Sequence, residues 1–263
     1  MSEEKGMKIS LYNRDCQLLF SETGEKIHTC FCHEYEEGDY LVLMADPGNF
    51  VRIKIDPAIE TAVVYVKEDC LIYKIPFGEA RECYPPGAFQ GKYHIYEMET
   101  VSCERETRDL STNPLDVLGE TGFYPHCTAN VETRDEAVFA ARNTIDGYHE
   151  TNCHGIWPFT SWGDNEDPNA EITIHFGRKI AAEEIEIFLR SDYPHDNYWK
   201  SVQLCFDDGS VRDLALEKTG NGQKFSLDGV ETESITMRKL IKCETLSSPF
   251  PSLTYWRVMG KEI

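Results

Sequence analysis

Alternating apolar and polar residues fill most of the first hundred positions of the chain. The apolar positions are rich in Val, Ile, Tyr and Phe, the residue types that favour β-strands. Eight such runs occur, at Lys8–Tyr12, Cys16–Ser21, Lys26–His33, Tyr40–Met44, Phe50–Ile55, Ala62–Lys67, Leu71–Ile75 and Tyr93–Val101. Turn-forming sequences such as Asp46-Pro47-Gly48-Asn49 lie between them. Eight short strands at this spacing predict a β-sandwich or jelly roll.

The second half of the chain shows the same pattern after one short helix-like stretch, Asp135–Arg142. Strands are predicted at Ala170–Phe176, Glu184–Leu189, Ser201–Phe206, Val211–Leu216, Gln223–Leu227, Ser234–Lys239 and Leu253–Met259. Between the halves, residues 102–120 contain few strand-forming residues and are interrupted by Asn113-Pro114, which is typical of a domain boundary. The pattern therefore predicts an all-β chain with two β-sandwich domains, residues 1–118 and 119–263.

The chain is strongly acidic, with 46 Asp and Glu residues against 26 Lys and Arg and a formal net charge of −20. Nucleic-acid binding and docking on anionic lipid both need a basic face, so this balance argues against both. Hydrophobic residues make up 41% of the positions, which is ordinary for a soluble globular protein. The acidity indicates solubility, with cation binding as the alternative.

Targeting and redox features are also informative. No apolar run approaches the ~20 residues that a membrane span requires. The start, Met1–Gly6, lacks the basic and apolar regions of a secretory signal. The ten cysteines are scattered and include no Cys-x-x-Cys pair, so we expect reduced thiols that pack as small apolar side chains. These features predict a cytoplasmic protein without a membrane span.

An ordered set of short motifs runs through the second half. The set comprises Asn143-Thr144-Ile145-Asp146-Gly147, Thr151, His154-Gly155-Ile156-Trp157-Pro158, Ser161-Trp162-Gly163, Ile172–Arg178, Ile185–Arg190, Asp208-Gly209 and Val258-Met259-Gly260. This order resembles the discoidin, or coagulation factor 5/8 type C, family of galactose-binding-like domains, which includes many carbohydrate-binding modules. The resemblance covers about Thr121 to Ile263 and implies a jelly roll whose loops bind ligand at one end. Two departures stand out: no cysteine in the last strand can pair with Cys127, and Tyr255 stands where calcium-binding members place a Glu.

Asp146 and Thr151 form the first candidate site. Calcium prefers oxygen ligands from a tight loop, and a carboxylate, a hydroxyl and backbone carbonyls would supply them. The alternative is an ordinary turn that the Asp146 side chain stabilises. Asp146 and Thr151 are therefore candidate calcium ligands, and no other cofactor is expected.

His154 and Trp157 form the second candidate site. A sugar site combines a flat apolar face with a few hydrogen-bonding groups, and this loop contains both. The alternative is that the tryptophans close the end of the core, which we favour for Trp162.

The run that follows the predicted strand ending at Arg190 is the densest polar and aromatic stretch of the chain. Arg190 offers a fork of donors for hydroxyls or a carboxylate. Further hydrogen-bonding groups and a stacking face are expected from Asp192, His195, Asp196 and Trp199. The alternative is a loop stabilised internally, in which Arg190 pairs with Asp192 or Asp196.

Together these features predict a non-catalytic protein that binds carbohydrate or a carbohydrate-like ligand. No Gly-x-Ser-x-Gly elbow, phosphate-binding loop or His-Glu-x-x-His motif is present, so an enzyme is not expected. A protein-interaction scaffold without a small ligand is the main alternative, and a sugar-active enzyme is the second.

Overall fold

The computed structural model describes residues 6–103, 106–190 and 197–263. These residues form an all-β structure, as predicted. Its strands are β1 Met7–Tyr12, β2 Leu18–Gly24, β3 Lys26–Cys32, β4 Tyr40–Met44, β5 Phe50–Lys54, β6 Ala62–Val66, β7 Cys70–Lys74, β8 Tyr93–Val101, β9 Arg108–Asp109, β10 Phe123–Tyr124, β11 His126–Ala129, β12 Trp162–Gly163, β13 Ile172–Leu189, β14 Trp199–Phe206, β15 Val211–Ala215, β16 Gln223–Lys242 and β17 Ser252–Glu262. Short 3-10 helices span Gly78–Arg81, Thr133–Asp135, Ala137–Phe139 and Ala141–Ile145.

The first half is a sandwich of two antiparallel sheets. One sheet has the order β2-β1-β4-β7, and the other has the order β10-β6-β5-β8-β3. Side chains alternate between core and solvent along the strands, so that Ile9 and Leu11 of β1 pack in the same core as Val64 and Val66 of β6. Burial of each such side chain stabilises the fold by about 1.5–3 kcal/mol, which explains why the alternating pattern was a reliable guide.

The second half is built around two long strands, β13 and β16. β13 pairs with β11 along its first part and with β17 along its second, while β16 pairs with both parts of it. The register between β13 and β16 is interrupted between His175 and Ile180, where Gly177 has a φ of +70° that favours glycine. The overall strand order is β12-β17-β13-β16-β14-β15. The sequence predicted two separate strands in place of each of these long strands, because the residues at the interruptions break the apolar alternation.

The stretch Asp135–Arg142, predicted to be helical, is instead a chain of 3-10 turns. Arg134 and Asp135 have left-handed backbone conformations, with φ of 55° and 53°. Ala140 is extended and separates the turns that precede and follow it. The apolar side chains Val138, Phe139 and Ile145 are nonetheless buried, so packing against the sandwich overrides helix propensity here.

The chain on both sides of the predicted boundary contributes to both halves. β9 pairs with β17, and Leu110 lies in the core of the second half. β10 pairs with β6, and Leu115 lies in the core of the first half. The division into 1–118 and 119–263 stays a prediction, and it runs through a strip of chain that both cores use.

All ten cysteines are free thiols. Within the described residues there is no helix long and apolar enough to cross a membrane.

Candidate functional site

A cavity of ≈ 130 Å³ opens at the end of the second sandwich, where β13 ends and β17 begins. It lies among loops rather than within a sheet, the usual place for a binding site on a rigid β-scaffold. Its walls are formed by Thr133, Arg134, Phe139, His154, Asp164, Arg190, Phe250, Pro251 and Ser252. The lining therefore combines charged, hydrogen-bonding and aromatic groups in one small space.

Arg190 follows directly after β13 and is held in place by its neighbours on the last strand. Its backbone N–H donates to the carbonyl of Ser252 at 3.0 Å, which continues the pairing of β13 with β17. Its Nη2 donates to the carbonyl of Phe250 at 3.4 Å. Only 5% of the residue is exposed, so the guanidinium is already largely desolvated where it meets the cavity. A desolvated, oriented donor fork is well suited to a ligand with paired oxygens.

Asp164 forms the acidic part of the lining. Its Oδ2 accepts a hydrogen bond from Nε1 of Trp199 at 3.0 Å, and its Oδ1 accepts one from the backbone N–H of Glu166 at 3.0 Å. Burial raises the pKa of the Asp164 carboxyl above its usual value, although these donors oppose the shift. The carboxyl is therefore a fixed acceptor at the edge of the cavity.

The Trp199 side chain is on the core side of the Asp164 carboxylate and does not face the cavity. Its side chain is 0% exposed and packs against Trp162, with ring centroids 5.9 Å apart. The sequence predicted a stacking face at Trp199, but β14 directs this ring into the core, so it offers no face to solvent. The role that the structure gives it is to orient Asp164. Trp162 closes the core, as expected, and donates from Nε1 to the carbonyl of Val131 at 2.8 Å.

Aromatic and apolar side chains form the remaining walls. Phe139 is almost completely buried, whereas Phe250 is 38% exposed and is followed by Pro251. The Arg134 guanidinium lies over the Phe139 ring, 5.3 Å from its centroid, and pairs with Glu136. Phe250 therefore has the exposed aromatic surface that Trp199 lacks, and such a surface suits the C–H face of a sugar ring.

The structure places His154 and Trp157, the two predicted site residues of their loop, in different environments. His154 is exposed and lines the cavity together with Arg190, so the structure brings these two predicted site residues together. Trp157 is half-buried, and its ring meets Tyr148 edge-on at 5.2 Å. Its backbone N–H donates to the carbonyl of Glu82 in the first half at 2.8 Å. Trp157 is not part of the cavity lining, and its predicted stacking role lacks support from this geometry.

The remaining predicted residues of the Arg190 run, Asp192, His195 and Asp196, lie outside the described residues. Their participation in the site stays a prediction.

The two candidate calcium ligands both form hydrogen bonds within the protein, and calcium binding by this loop stays a prediction. Oδ1 of Asp146 accepts from the backbone N–H of Tyr148 at 2.9 Å, the turn that was the alternative interpretation. The Thr151 hydroxyl donates to the carbonyl of Gly220 at 3.4 Å. The Tyr255 hydroxyl forms hydrogen bonds with Asp109 and Thr112. No set of three His, Cys, Asp or Glu side chains among the described residues is arranged to hold a metal.

Seven lining residues were not predicted from the sequence: Thr133, Arg134, Phe139, Asp164, Phe250, Pro251 and Ser252. Phe139 lies in the stretch that was interpreted as a helix, and Arg134 directly precedes that stretch. Asp164 follows the Ser161-Trp162-Gly163 motif directly, and Phe250-Pro251 precedes the last strand. Asp164 and Phe250 could have been recognised from their position in loops at the same end of the sandwich as Arg190.

Comparison with known proteins gives matches only among solved structures. No family model and no curated protein matches the chain. A chitosan-binding module of a chitosanase/glucanase from Paenibacillus sp. IK-5 is 15% identical, with coverage of 59% of this chain and 100% of that chain and a TM-score of 0.40. The family 32 CBM from C. perfringens NanJ, in complex with galactose, is 18% identical, with coverage of 51% and 91% and a TM-score of 0.39. A fucolectin from the serum of striped bass, Morone saxatilis, is 11% identical, with coverage of 91% and 86% and a TM-score of 0.45.

These structures belong to the same group of carbohydrate-binding modules and lectins that the motifs of the second half resemble. At these identities and TM-scores, the likeness by itself carries no conclusion about a ligand. A function therefore has to be supported by the chain's own cavity and motifs.

Proposed function

We propose that this chain is a non-catalytic carbohydrate-binding protein and that the cavity beside Arg190 holds one sugar residue. The observation that supports this best is the meeting of His154, Arg190 and Asp164 with the exposed Phe250 ring in one cavity. A sugar presents hydroxyls at its rim and an apolar C–H surface on its faces. The polar side chains of the cavity suit the hydroxyls, and the Phe250 ring suits the C–H surface.

The available volume suits a single terminal residue rather than a buried chain. A cavity of ≈ 130 Å³ leaves much of an oligosaccharide in solvent. Few atoms are desolvated, and each hydroxyl loses water before it bonds to the protein, so the affinity is modest. We expect a dissociation constant between ~10 µM and ~10 mM.

A binding role fits the lining better than a hydrolytic one. Glycoside hydrolysis usually needs two carboxyl groups across the scissile bond. Asp164 is the one acidic side chain among the described residues of the lining, and both of its oxygens already accept hydrogen bonds. An arrangement of this kind positions a ligand without offering it an acid and base pair.

Alanine substitution of two exposed lining residues tests the proposal. A ligand is first selected on a glycan array of neutral and charged saccharides, and its affinity is then measured by isothermal titration calorimetry. Phe250→Ala removes the stacking surface and should weaken binding by about 1 kcal/mol, roughly fivefold. His154→Ala removes a hydrogen-bonding group and should weaken binding to a similar degree. Both residues are exposed, so the melting temperature should stay close to that of the wild type.

His149→Ala is the matched control, because His149 is also an exposed histidine of this loop region but lies outside the cavity lining. It should leave the affinity unchanged. The proposal is wrong if no saccharide binds at millimolar concentration, or if one binds with the same affinity to the wild type and to both lining variants.

A further inference from the structure

A second, more open groove of ≈ 280 Å³ lies beside the start of β13. It is lined by Pro168, Asn169, Ala170, Glu171, Arg238 and Lys239. Two consecutive turns connect it to the sugar cavity: the N–H of Asp167 donates to the carbonyl of Asp164, and the N–H of Ala170 donates to the carbonyl of Asp167. The short loop 164–170 therefore contributes Asp164 to the cavity and Pro168 to Ala170 to the groove.

A β-bulge directs two basic side chains into this groove. Gln203 pairs with Arg238, but two residues earlier Ser201 pairs with Ile241, so β16 has one extra residue here. Lys239 accommodates it with a left-handed backbone, φ 49°. Consecutive strand residues normally point to opposite faces of a sheet, yet Arg238 and Lys239 line the same groove. Bulges that redirect side chains in this way are common beside functional sites.

The opposite wall of the groove is rigid. The Asn130 side chain donates from Nδ2 to the carbonyl of Asn169 at 2.9 Å and accepts at Oδ1 from the N–H of Glu171 at 2.8 Å. One amide therefore fixes both ends of the short segment that faces the two basic residues. A ligand that enters the groove does not have to order this wall, which lowers the entropic cost of binding.

The charge of the groove stands out against that of the chain. The net charge is −20, and most basic side chains could readily find acidic partners. Within the described part of the chain, Arg238 and Lys239 form no ion pair, although Glu171 lines the same groove. The one side-chain hydrogen bond of Arg238 goes from Nε to the Gln203 amide oxygen at 3.2 Å, which fixes the guanidinium and leaves its terminal nitrogens to other acceptors. Two cations held side by side suit an oxyanion.

We infer that this groove is a subsite for an anionic group, a carboxylate or a sulfate ester, on a saccharide whose neutral ring occupies the cavity beside Arg190. The inference rests on the proposed function, because the cavity and the groove are the two faces of one loop. It goes beyond that function in naming acidic oligosaccharides as the preferred ligands.

Matched saccharide pairs test the subsite. Suitable probes are oligogalacturonates with their methyl esters, and sulfated galacto-oligosaccharides with their unsulfated forms. The wild type should bind the charged member of at least one pair about tenfold more tightly at low salt, and this preference should shrink at 0.2 M salt as the charges are screened. The pair that shows the preference distinguishes a carboxylate from a sulfate.

The double variant Arg238→Gln/Lys239→Gln should abolish the preference and leave the affinity for the neutral member unchanged. Lys74→Gln/Lys200→Gln is the control, because it removes the same total charge from two exposed positions outside the groove. Neutral binding without any preference for the charged member would overturn the subsite and leave the proposed function standing. Equal loss of preference in both double variants would also overturn it, because a long-range charge effect would then be the cause. Failure of every saccharide to bind would overturn the subsite and the proposed function together.

Discussion

Asp146 is an acidic residue inside the protein, with 4% of its surface exposed. Burial raises the pKa of its carboxyl to about 7, although the charge of Arg142 opposes that rise. Its Oδ2 is buried without a hydrogen-bond partner among the described residues, and the nearby Thr160 side chain also opposes the rise in pKa. A carboxyl in this position is favoured in its neutral form, because the charged form loses water that the protein does not fully replace.

This shift predicts an unusual dependence of stability on pH. The unfolded carboxyl loses its proton near 3.8, whereas the folded one keeps it until about pH 7. Between these values the folded state binds more protons, so this residue's contribution to the free energy of unfolding falls as pH rises, by on the order of 1 kcal/mol per pH unit. Asp146→Asn removes the ionisation. The stability of the variant minus that of the wild type should therefore rise from pH 4 to pH 7 and stay level above it, as measured by urea unfolding.

Asp208→Asn is the control for this experiment. The pKa of Asp208 is lowered by hydrogen bonds from Ser210, so its contribution to stability is present above the unfolded pKa and lost at lower pH. That variant should show no rise between pH 4 and pH 7. A difference for Asp146→Asn that falls with pH would mean that Arg142 keeps the carboxylate ionised.

At the scale of elements, the 3-10 helix Ala141–Ile145 is fixed by one buried arginine. Arg142 donates from Nε to the carbonyl of Asp116 at 2.7 Å and from Nη2 to the carbonyl of Pro114 at 3.1 Å. Its guanidinium also lies over the Tyr84 ring of the first half, 4.7 Å from the centroid. A single side chain therefore joins a helix of the second half, the connecting segment and the first half.

Removal of the Arg142 guanidinium should strongly destabilise the protein. Arg142→Gln leaves buried carbonyls without donors and should lower the free energy of unfolding by about 3–5 kcal/mol in urea denaturation. Arg52→Gln is the matched control, because Arg52 forms an exposed ion pair with Glu99, and it should change stability by less than about 1 kcal/mol. Equal effects of the two substitutions would show that Arg142 contributes no more than a surface residue.

The sequence predicted the strands better than the connections between them. The predicted strands Tyr40–Met44 and Tyr93–Val101 have the same bounds as β4 and β8, because alternation alone defines a strand with one buried face. Within the site, Arg190 was predictable from its place at a strand end. Phe139 was not, because left-handed residues at Arg134 and Asp135 break a pattern that otherwise reads as helix. Trp199 was misassigned because polarity near a tryptophan does not reveal which face of the strand it occupies.

At the scale of the whole molecule, polar contacts as well as chain connectivity join the two halves. Glu262 of β17 accepts hydrogen bonds from Arg178 at 2.7 Å and from Arg108 at 2.5 Å. Both guanidinium groups lie over Phe50 of the first half, 4.8 and 5.4 Å from its ring centroid. The Trp157–Glu82 hydrogen bond joins the halves at a second place and gives the first half a part in positioning the loop that contains His154.

The connecting segment should decide whether the second half folds alone. A fragment of residues 120–263 lacks β9, Leu110 and Asp116, although Asp116 accepts from His126 Nδ1 at 2.7 Å and from the Cys127 N–H at 2.9 Å inside the protein. Loss of one buried leucine and of these two acceptor sites should together cost about 4 kcal/mol or more, a large part of a typical domain's stability. A fragment of residues 106–263 keeps all three features.

We therefore expect cooperative thermal unfolding with a β-sheet circular dichroism spectrum for 106–263, and a lower or non-cooperative transition for 120–263. Asp116→Ala in the longer fragment separates the two causes, because it removes the acceptors but retains β9 and Leu110. Its melting temperature should fall between those of the two fragments, since the leucine still fills its place in the core. Identical unfolding of 106–263 and 120–263 would show that residues 106–119 belong energetically to the first half, and that the contacts of Asp116 with His126 and Cys127 add no net stability to the second.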